Sequence, residues 1–143
     1  MVKAPIRLLL IYLVGFLPAE NNDQELALNH FMQGEFLMNQ GNYALAILEF
    51  QDAIELDPNA STIHVSIADG YRRIGKLNKA EDHLGIALEL DSEEEEALEM
   101  LGQIFLSQKR YTEAKETYQE LSNLDPNNID FIGCGAWLGQ DID

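Results

Sequence analysis

Basic residues and cysteine are the scarcest features of this 143-residue chain. It has 9 Lys and Arg residues against 25 Asp and Glu residues, which gives a formal net charge of −16 at pH 7. Because nucleic-acid affinity comes largely from cations that neutralise phosphates, DNA and RNA are excluded as expected partners. Anionic membrane surfaces are disfavoured for the same reason. The single cysteine, Cys134, excludes an intramolecular disulfide and is interpreted as a small apolar residue.

Motifs that carry catalysis or metal binding are also missing from the sequence. There is no glycine-rich phosphate loop, no His-Glu-x-x-His motif and no serine elbow. The acidic run 91–96 lacks the alternating ligands and turn glycine of a calcium loop, and a helix start already favours glutamates. The histidines His30, His64 and His83 are expected to pack at the edge of the core. The chain is therefore predicted to be a non-enzyme that holds no metal and no cofactor.

A long hydrophobic run is absent, and the short run near the N-terminus has a different meaning. Residues 8–17 carry no charge, and they follow the cations Lys3 and Arg7. This layout is typical of a secretory signal peptide, here cleaved after Ala19, whereas a stable membrane span needs about 20 apolar residues. Residues 1–19 are therefore predicted to direct export to the periplasm or the extracellular space. The alternatives are a membrane anchor formed by 8–17 and, in a cytoplasmic protein, a helix that packs on the rest of the fold.

What the chain does contain is an internal repeat with a period of 34 residues. Five columns recur at this spacing, namely Gly34/Ala68/Gly102, Tyr43/Leu77/Tyr111, Ala46/Ala80/Ala114, Phe50/Leu84/Tyr118 and Leu56/Leu90/Leu124. Each period holds two segments of helical periodicity separated by a short break, which makes the two helices antiparallel. Because one hairpin cannot bury its own apolar face, the units are predicted to stack into an all-α solenoid.

The order of small residues, aromatic residues and a terminal proline resembles the tetratricopeptide repeat family. In the first unit the matching positions are Gly34, Leu37, Gly41, Tyr43, Ala46, Phe50, Ala53 and Pro58. The resemblance implies helix-turn-helix repeats at 27–60, 61–94 and 95–128, after a lead-in at 20–26 and before a partial fourth helix at 129–143. Two departures are local: Lys109 stands where the family has a turn glycine, and Ser92 where it has proline.

The resemblance also implies a concave groove, lined by the first helix of each repeat, in which a partner protein or peptide binds. The residues off the core stripe of those helices are Leu28, Phe31, Glu35, Met38, Asn39, Thr62, Val65, Asp69, Arg72, Arg73, Glu96, Glu99, Gln103 and Leu106. Some family members use Lys and Asn side chains on this face to hold the C-terminal carboxylate of chaperone tails. The corresponding places here hold Phe31, Glu35, Val65 and Asp69, so a carboxylate clamp is not expected.

The groove is instead expected to take an extended or helical peptide with an apolar anchor and some positive charge. Phe31 and Met38 are predicted to form the anchor pocket, unless residues 20–26 or the N-terminal segment cover them. The apolar, glycine-rich residues 129–138 make a poor cap, which predicts weak self-association through them. The sequence thus predicts a non-enzymatic interaction scaffold of a bacterial envelope assembly. The alternative is a recruiting or regulatory module of a larger enzyme.

Overall fold

Three antiparallel helical hairpins make up residues 20–126, the part of the chain that the computed structural model describes. The helices are α1 (Glu20–Asn39), α2 (Tyr43–Leu56), α3 (Ser61–Arg73), α4 (Leu77–Leu90), α5 (Glu95–Ser107) and α6 (Tyr111–Leu124). The prediction of an all-α solenoid is confirmed for this part. No helix within it is both long enough and apolar enough to span a bilayer. The predicted signal peptide, the partial fourth helix and the self-association segment lie outside the described residues and stay predictions.

The hairpins stack in chain order, so that their first helices form one layer and their second helices another. The second helices of the first two hairpins, α2 and α4, each pack between the first helix of their own hairpin and the first helix of the next one, and α3 contacts both α1 and α5. Residues 20–26, expected as a lead-in, are helical and make α1 20 residues long, against 13 residues in α3 and α5. The layer of α1, α3 and α5 forms the candidate binding surface.

The turn inside each hairpin has left-handed backbone geometry. Gly41 and Gly75 have φ angles of 77° and 76°, and Lys109 adopts a φ of 62° at the equivalent place. In the third turn the Arg110 N–H donates to the Phe105 carbonyl at 2.8 Å, as the Lys76 N–H does to Tyr71 at 2.9 Å. The third hairpin therefore keeps the turn of the first two without its glycine, at a cost of about 1 kcal/mol for a side chain in that conformation.

The junctions between hairpins end their helices in the same way with or without proline. The Asp57 N–H donates to the Ala53 carbonyl at 2.9 Å, and the Asp91 N–H donates to the Ala87 carbonyl at 2.8 Å. Asp91 also accepts a hydrogen bond from the Glu93 N–H through its side chain, at 3.0 Å. This local side-chain bond provides the turn that proline provides elsewhere, so the departure at Ser92 leaves the architecture unchanged.

Candidate functional site

A cavity of about 380 Å³ opens on the layer of first helices. It is lined by Glu35, Met38, Asn39, Tyr43, Ser66, Asp69, Arg73 and Glu96. We call it the acidic pocket. Six of its eight lining residues belong to the groove set predicted from the sequence, whereas Tyr43 and Ser66 do not. Residues of α1, α3 and α5 therefore meet at one place, as a concave groove requires.

Negative charge in the acidic pocket is only partly neutralised. Asp69 accepts hydrogen bonds from Arg72 at 3.0 Å and from Arg73 at 3.3 Å, so the two nearby cations are shared on one carboxylate. Glu35 accepts a hydrogen bond from the Ser66 hydroxyl at 3.1 Å. Glu35 and Glu96 form no ion pair within residues 20–126. The pocket therefore keeps two carboxylates without a cation.

The pKa of Glu96 is raised by burial and by the excess of negative charge in the pocket. Glu96 is exposed as a residue, but partial burial of its carboxyl raises the pKa of this group, and the negative charges of Glu94, Asp69, Glu35 and Glu99 raise it further. Both causes disfavour the ionised form, since the carboxylate loses water and meets like charges. A cation placed at this end of the groove would relieve both effects. The pocket is thus electrostatically suited to a Lys or Arg side chain of a ligand.

A second cavity, of about 250 Å³, lies beside the first junction between hairpins. Its lining is mostly apolar and consists of Gln24, Ala27, Leu28, Phe31, Asp57, Ala60, Thr62 and Ile63. Leu28 is exposed, and the Phe31 ring packs 5.7 Å from the Phe50 ring. The expectation of one anchor pocket shared by Phe31 and Met38 is wrong, because Met38 lines the acidic pocket instead. Seven residues separate the two side chains by about 10 Å along the helix, which is far enough to divide them between two cavities.

The other residues of the predicted groove set are distributed unevenly. Val65 is only 3% exposed and belongs to the core, which corrects its prediction as a groove contact. The reason is that α3 has a neighbour on each side, so its buried stripe is wider than that of α1. Leu106 is half-buried against the core, whereas Glu99 is exposed and accepts a hydrogen bond from Gln103 at 3.1 Å. Arg72 and Gln103 line a separate cavity of about 260 Å³ between α3 and α5.

Exposed apolar side chains are concentrated on the first hairpin. In the described part of the chain, Leu26, Leu28, Met32, Phe36, Leu45 and Leu48 lie there, against Ile74, Ile86, Leu90 and Tyr111 on the other two hairpins. Of the first group, only Leu28 was among the groove residues predicted from the sequence. Met32 and Phe36 could have been found from the sequence, because the third repeat has the apolar residues Met100 and Ile104 in the same columns.

The contact between His30 and Glu49 joins the two helices of the first hairpin. The His30 Nδ1 and Glu49 Oε2 atoms are 2.8 Å apart. Together with Asp52, these side chains bring three potential metal-ligand atoms within 4.8 Å of one another. The third hairpin fills the columns of His30 and Glu49 with Leu98 and Thr117, which cannot serve as such ligands. The shared role of these columns is therefore to fill the space between paired helices, in line with the expected core-edge packing.

In the second hairpin the same columns hold two histidines in contact. The Nδ1 atoms of His64 and His83 are 3.1 Å apart, and the Tyr71 ring stacks on His83 with a centroid distance of 5.6 Å. Burial lowers the pKa of His64. Burial also lowers the pKa of His83, with a further decrease from the neighbouring His64. The lowered pKa values favour neutral rings, and in a neutral pair one ring N–H donates to the other ring.

Three stacked helical hairpins of 34 residues with a groove on one side define a helical repeat solenoid of the protein-binding type. The sequence matches the tetratricopeptide repeat over residues 27–60 and again over residues 65–129. The chain therefore belongs to the tetratricopeptide repeat family.

Curated relatives share this repeat region within longer proteins. The small glutamine-rich tetratricopeptide repeat-containing protein 2 of Mycosarcoma maydis is 33% identical over 96 residues, which are 67% of this chain and 27% of the relative. The Hsp70-Hsp90 organizing protein of Triticum aestivum is 26% identical over 113 residues, which are 79% of this chain and 19% of the relative. The matched stretch thus spans about a quarter or less of these relatives.

Solved tetratricopeptide domains superpose on the chain over most of its length. The first such domain of Spaghetti (RPAP3), bound to the HSP90 peptide SRMEEVD, has a TM-score of 0.75 at 25% identity and covers 82% of this chain and 93% of its own. The domain of Arabidopsis OM64 has a TM-score of 0.76 at 20% identity, covers 84% and 99% of the two chains, and shows the fold alone.

Proposed function

We propose that the chain is a non-enzymatic interaction module whose acidic pocket binds a partner peptide or protein through Lys or Arg side chains. The observation that carries the proposal is the pair of carboxylates, Glu35 and Glu96, that line the pocket without an ion-pair partner among the described residues. The Spaghetti domain supports the general function, since it is a similar groove solved with a peptide. That peptide ends in Glu-Glu-Val-Asp. The charge of the pocket favours the opposite kind of ligand here.

The energetic reason is the relief of like-charge repulsion. A bound cation pairs with Glu35 and Glu96 and lowers the raised pKa of Glu96 towards its usual range. Binding is therefore linked to ionisation of Glu96, and affinity should fall as the pH drops through the raised pKa of that group. Affinity should also fall with added salt, because exposed charges are screened over about 10 Å at 0.1 M ionic strength.

A pair of matched peptides tests the proposal on the full chain. The first is SRMEEVD, and the second is SRMKKVK, in which lysine replaces each acidic residue and an amide replaces the terminal carboxylate. We expect SRMKKVK to bind and SRMEEVD not to bind in fluorescence anisotropy. The substitutions Glu35→Gln and Glu96→Gln together should weaken SRMKKVK binding about tenfold, which corresponds to about 1.4 kcal/mol.

The control variant removes the same number of negative charges at positions outside the groove. Glu116→Gln and Glu120→Gln remove two exposed carboxylates from α6, and they should change the affinity for SRMKKVK less than about twofold, as for charges well outside the contact. Equal losses in both double variants would mean that only diffuse charge attracts the peptide. Preferential binding of SRMEEVD would contradict the proposed ligand class.

We also propose that the module works outside the cytoplasm, on the basis of the N-terminal sequence. The support is the uncharged run 8–17 behind Lys3 and Arg7, with Ala19 at the expected cleavage point. N-terminal sequencing of protein purified from its native host should give Glu20 as the first residue. Ala19→Tyr should block this processing, whereas Ala4→Tyr should leave it intact. An intact Met1 on protein from the soluble cytoplasmic fraction would contradict export.

A further inference from the structure

The first helix carries two exposed apolar residues in columns that the later repeats use to pack on a preceding hairpin. Met32 and Phe36 on α1 are 60% and 57% exposed. One repeat later the same columns hold Ser66 and Gly70. The Ser66 hydroxyl donates to Glu35 on α1 at 3.1 Å. This column therefore faces the first helix of the preceding hairpin.

The second of these columns faces the preceding second helix. A Cβ atom on Gly70 would lie 2.7 Å from the Ile47 Cγ1 atom of α2, so α2 runs close against α3 at this point. In the third repeat the two columns hold Met100 and Ile104, which are only 7% and 2% exposed. Ile104 shows that a large apolar side chain is accommodated there when a hairpin precedes it. Met32 and Phe36 thus occupy the positions on α1 that correspond to the stacking interface of α3 and α5.

We call Met32 and Phe36 the end face. Among the described residues these two side chains are exposed, and exposed apolar surface of this kind promotes association. Met32 and Phe36 thus give α1 an exposed apolar surface at the positions where α5 has the buried residues Met100 and Ile104.

The charge around the end face limits what can cover it. Between residues 20 and 71 the sequence has nine Asp and Glu residues and no Lys or Arg. All seven cations after Ala19 lie between Arg72 and Lys115. The hairpin that carries the end face therefore has acidic residues and no basic residue. An amphipathic helix with Lys and Arg beside its apolar face is complementary in both respects.

We infer that the end face is a second docking site, which takes a cationic amphipathic helix of a partner protein in the place of a preceding hairpin. The site is distinct from the acidic pocket, because neither Met32 nor Phe36 lines that pocket. The docked helix packs its apolar side chains on Met32 and Phe36, as α2 packs Ile47 on α3. Its cations lie opposite the acidic residues of the first hairpin.

Photo-crosslinking in the full chain tests which class of helix binds the end face. Phe36 is replaced by the photoreactive residue p-benzoylphenylalanine, which keeps an aromatic ring at the site. The probe is a synthetic amphipathic helix of Leu and Lys, and the matched control has Glu in place of every Lys. We expect the main product to be a cross-link to the Leu/Lys helix and none to the Leu/Glu helix. A main product linking Phe36 to residues 1–19, a product linking two copies of the chain, or equal labelling of both helices would overturn the inference.

Substitutions separate this site from the groove. Met32→Ser and Phe36→Ser together should weaken binding of the Leu/Lys helix at least about tenfold, since two apolar side chains lose their burial in the complex. Leu45→Ser and Leu48→Ser are the matched control, because these residues are equally exposed at 54% and 55%. Their columns hold charged residues in the other repeats, namely Lys79, Asp82, Glu113 and Glu116. An equal loss in both double variants would overturn the inference.

Variants of the acidic pocket distinguish a failure of the proposed peptide binding from a failure of the end-face inference. Glu35→Gln with Glu96→Gln should weaken SRMKKVK while the Leu/Lys helix still cross-links at position 36. Met32→Ser with Phe36→Ser should do the reverse. If the groove variants alone abolish both interactions, the helix binds in the acidic pocket and the end face is not a site. Circular dichroism checks that every variant keeps its helices, which is expected because the substituted side chains of the end face are exposed.

Discussion

Alanine at Gly34 should destabilise the chain, although alanine is the better helix former. A Cβ atom at Gly34 would overlap the Phe50 Cε1 atom and would lie 2.6 Å from its Cδ1 atom. Phe50 is fully buried, so its ring cannot move into solvent and must displace other core side chains. Overpacking of this kind costs about 1–3 kcal/mol, against a gain of about 1 kcal/mol in helix propensity. We expect a net loss of up to about 2 kcal/mol in the free energy of unfolding in urea.

The second repeat provides the compensating change. Its columns hold Ala68 and Leu84 where the first repeat holds Gly34 and Phe50, and both are fully buried. Gly34→Ala combined with Phe50→Leu copies this pair and should recover most of the stability lost in Gly34→Ala. The double-mutant cycle should give a favourable coupling energy of about 1 kcal/mol or more, as expected for residues in direct contact.

Gly85 is the matched control for the helix-propensity gain. It lies within α4, and a Cβ atom there meets nothing within 4 Å in the described part of the chain. Gly85→Ala should therefore stabilise the protein by about 0.5–1 kcal/mol. If Gly34→Ala stabilises as much as Gly85→Ala does, Phe50 yields without cost and the packing argument is wrong.

Such pairs also explain why the architecture could be predicted from the sequence. Gly34 with Phe50 and Gly102 with Tyr118 each match a missing side chain on one helix to a large ring on the other. This complementarity recurs every 34 residues, so it is visible as columns without any coordinates. The left-handed turn at Lys109 was less evident, because the backbone geometry there is imposed by the two helices that it joins.

The groove could be predicted only in part, because its shape depends on how neighbouring helices are spaced. Periodicity assigns faces to one helix at a time, which was sufficient for Glu35, Asp69 and Glu96. It failed at Val65, since a helix with neighbours on both sides buries a wider stripe. It also missed Ser66, whose hydroxyl enters the acidic pocket only because α1 brings Glu35 within hydrogen-bond distance.

Acidification from pH 7 to pH 5 should destabilise the second hairpin through the pair formed by His64 and His83. Burial lowers the pKa of both rings in the folded chain, whereas the unfolded chain titrates near the ordinary value of 6.5. Below pH 6.5 the unfolded state therefore binds more protons than the folded state does. The contribution of the pair to the free energy of unfolding must then fall as the pH falls. The limit is about 1.4 kcal/mol per pH unit for each proton that the unfolded state binds and the folded state does not. Well above pH 7 both states are neutral at these rings and the effect disappears.

The groups around the pair act in both directions but do not reverse this sign. Lys79 adds to the lowering of the pKa of His83, whereas Asp82 opposes it. A second proton would also place two N–H donors face to face across the 3.1 Å between the Nδ1 atoms. The carboxyl of Glu113, whose pKa is lowered by its hydrogen bond with Arg110, loses its contribution only at lower pH. The raised pKa of Glu96 acts with the opposite sign, because its folded-state carboxyl takes up a proton more readily than the unfolded one as the pH falls. Glu96 is the same in the unchanged chain and in a histidine variant, so the difference between their pH dependences reports on the histidines.

The third repeat supplies the variant that removes the effect. Leu98 and Thr117 occupy the columns of His64 and His83. Urea titrations of His64→Leu/His83→Thr between pH 7 and pH 5 should show a clearly smaller pH dependence than the unchanged chain. The reverse transplant, Leu98→His/Thr117→His, should steepen the dependence, because it builds a second buried histidine pair. An unchanged slope in the first double variant would show that the pair is protonated in the folded state and that its burial does not control stability.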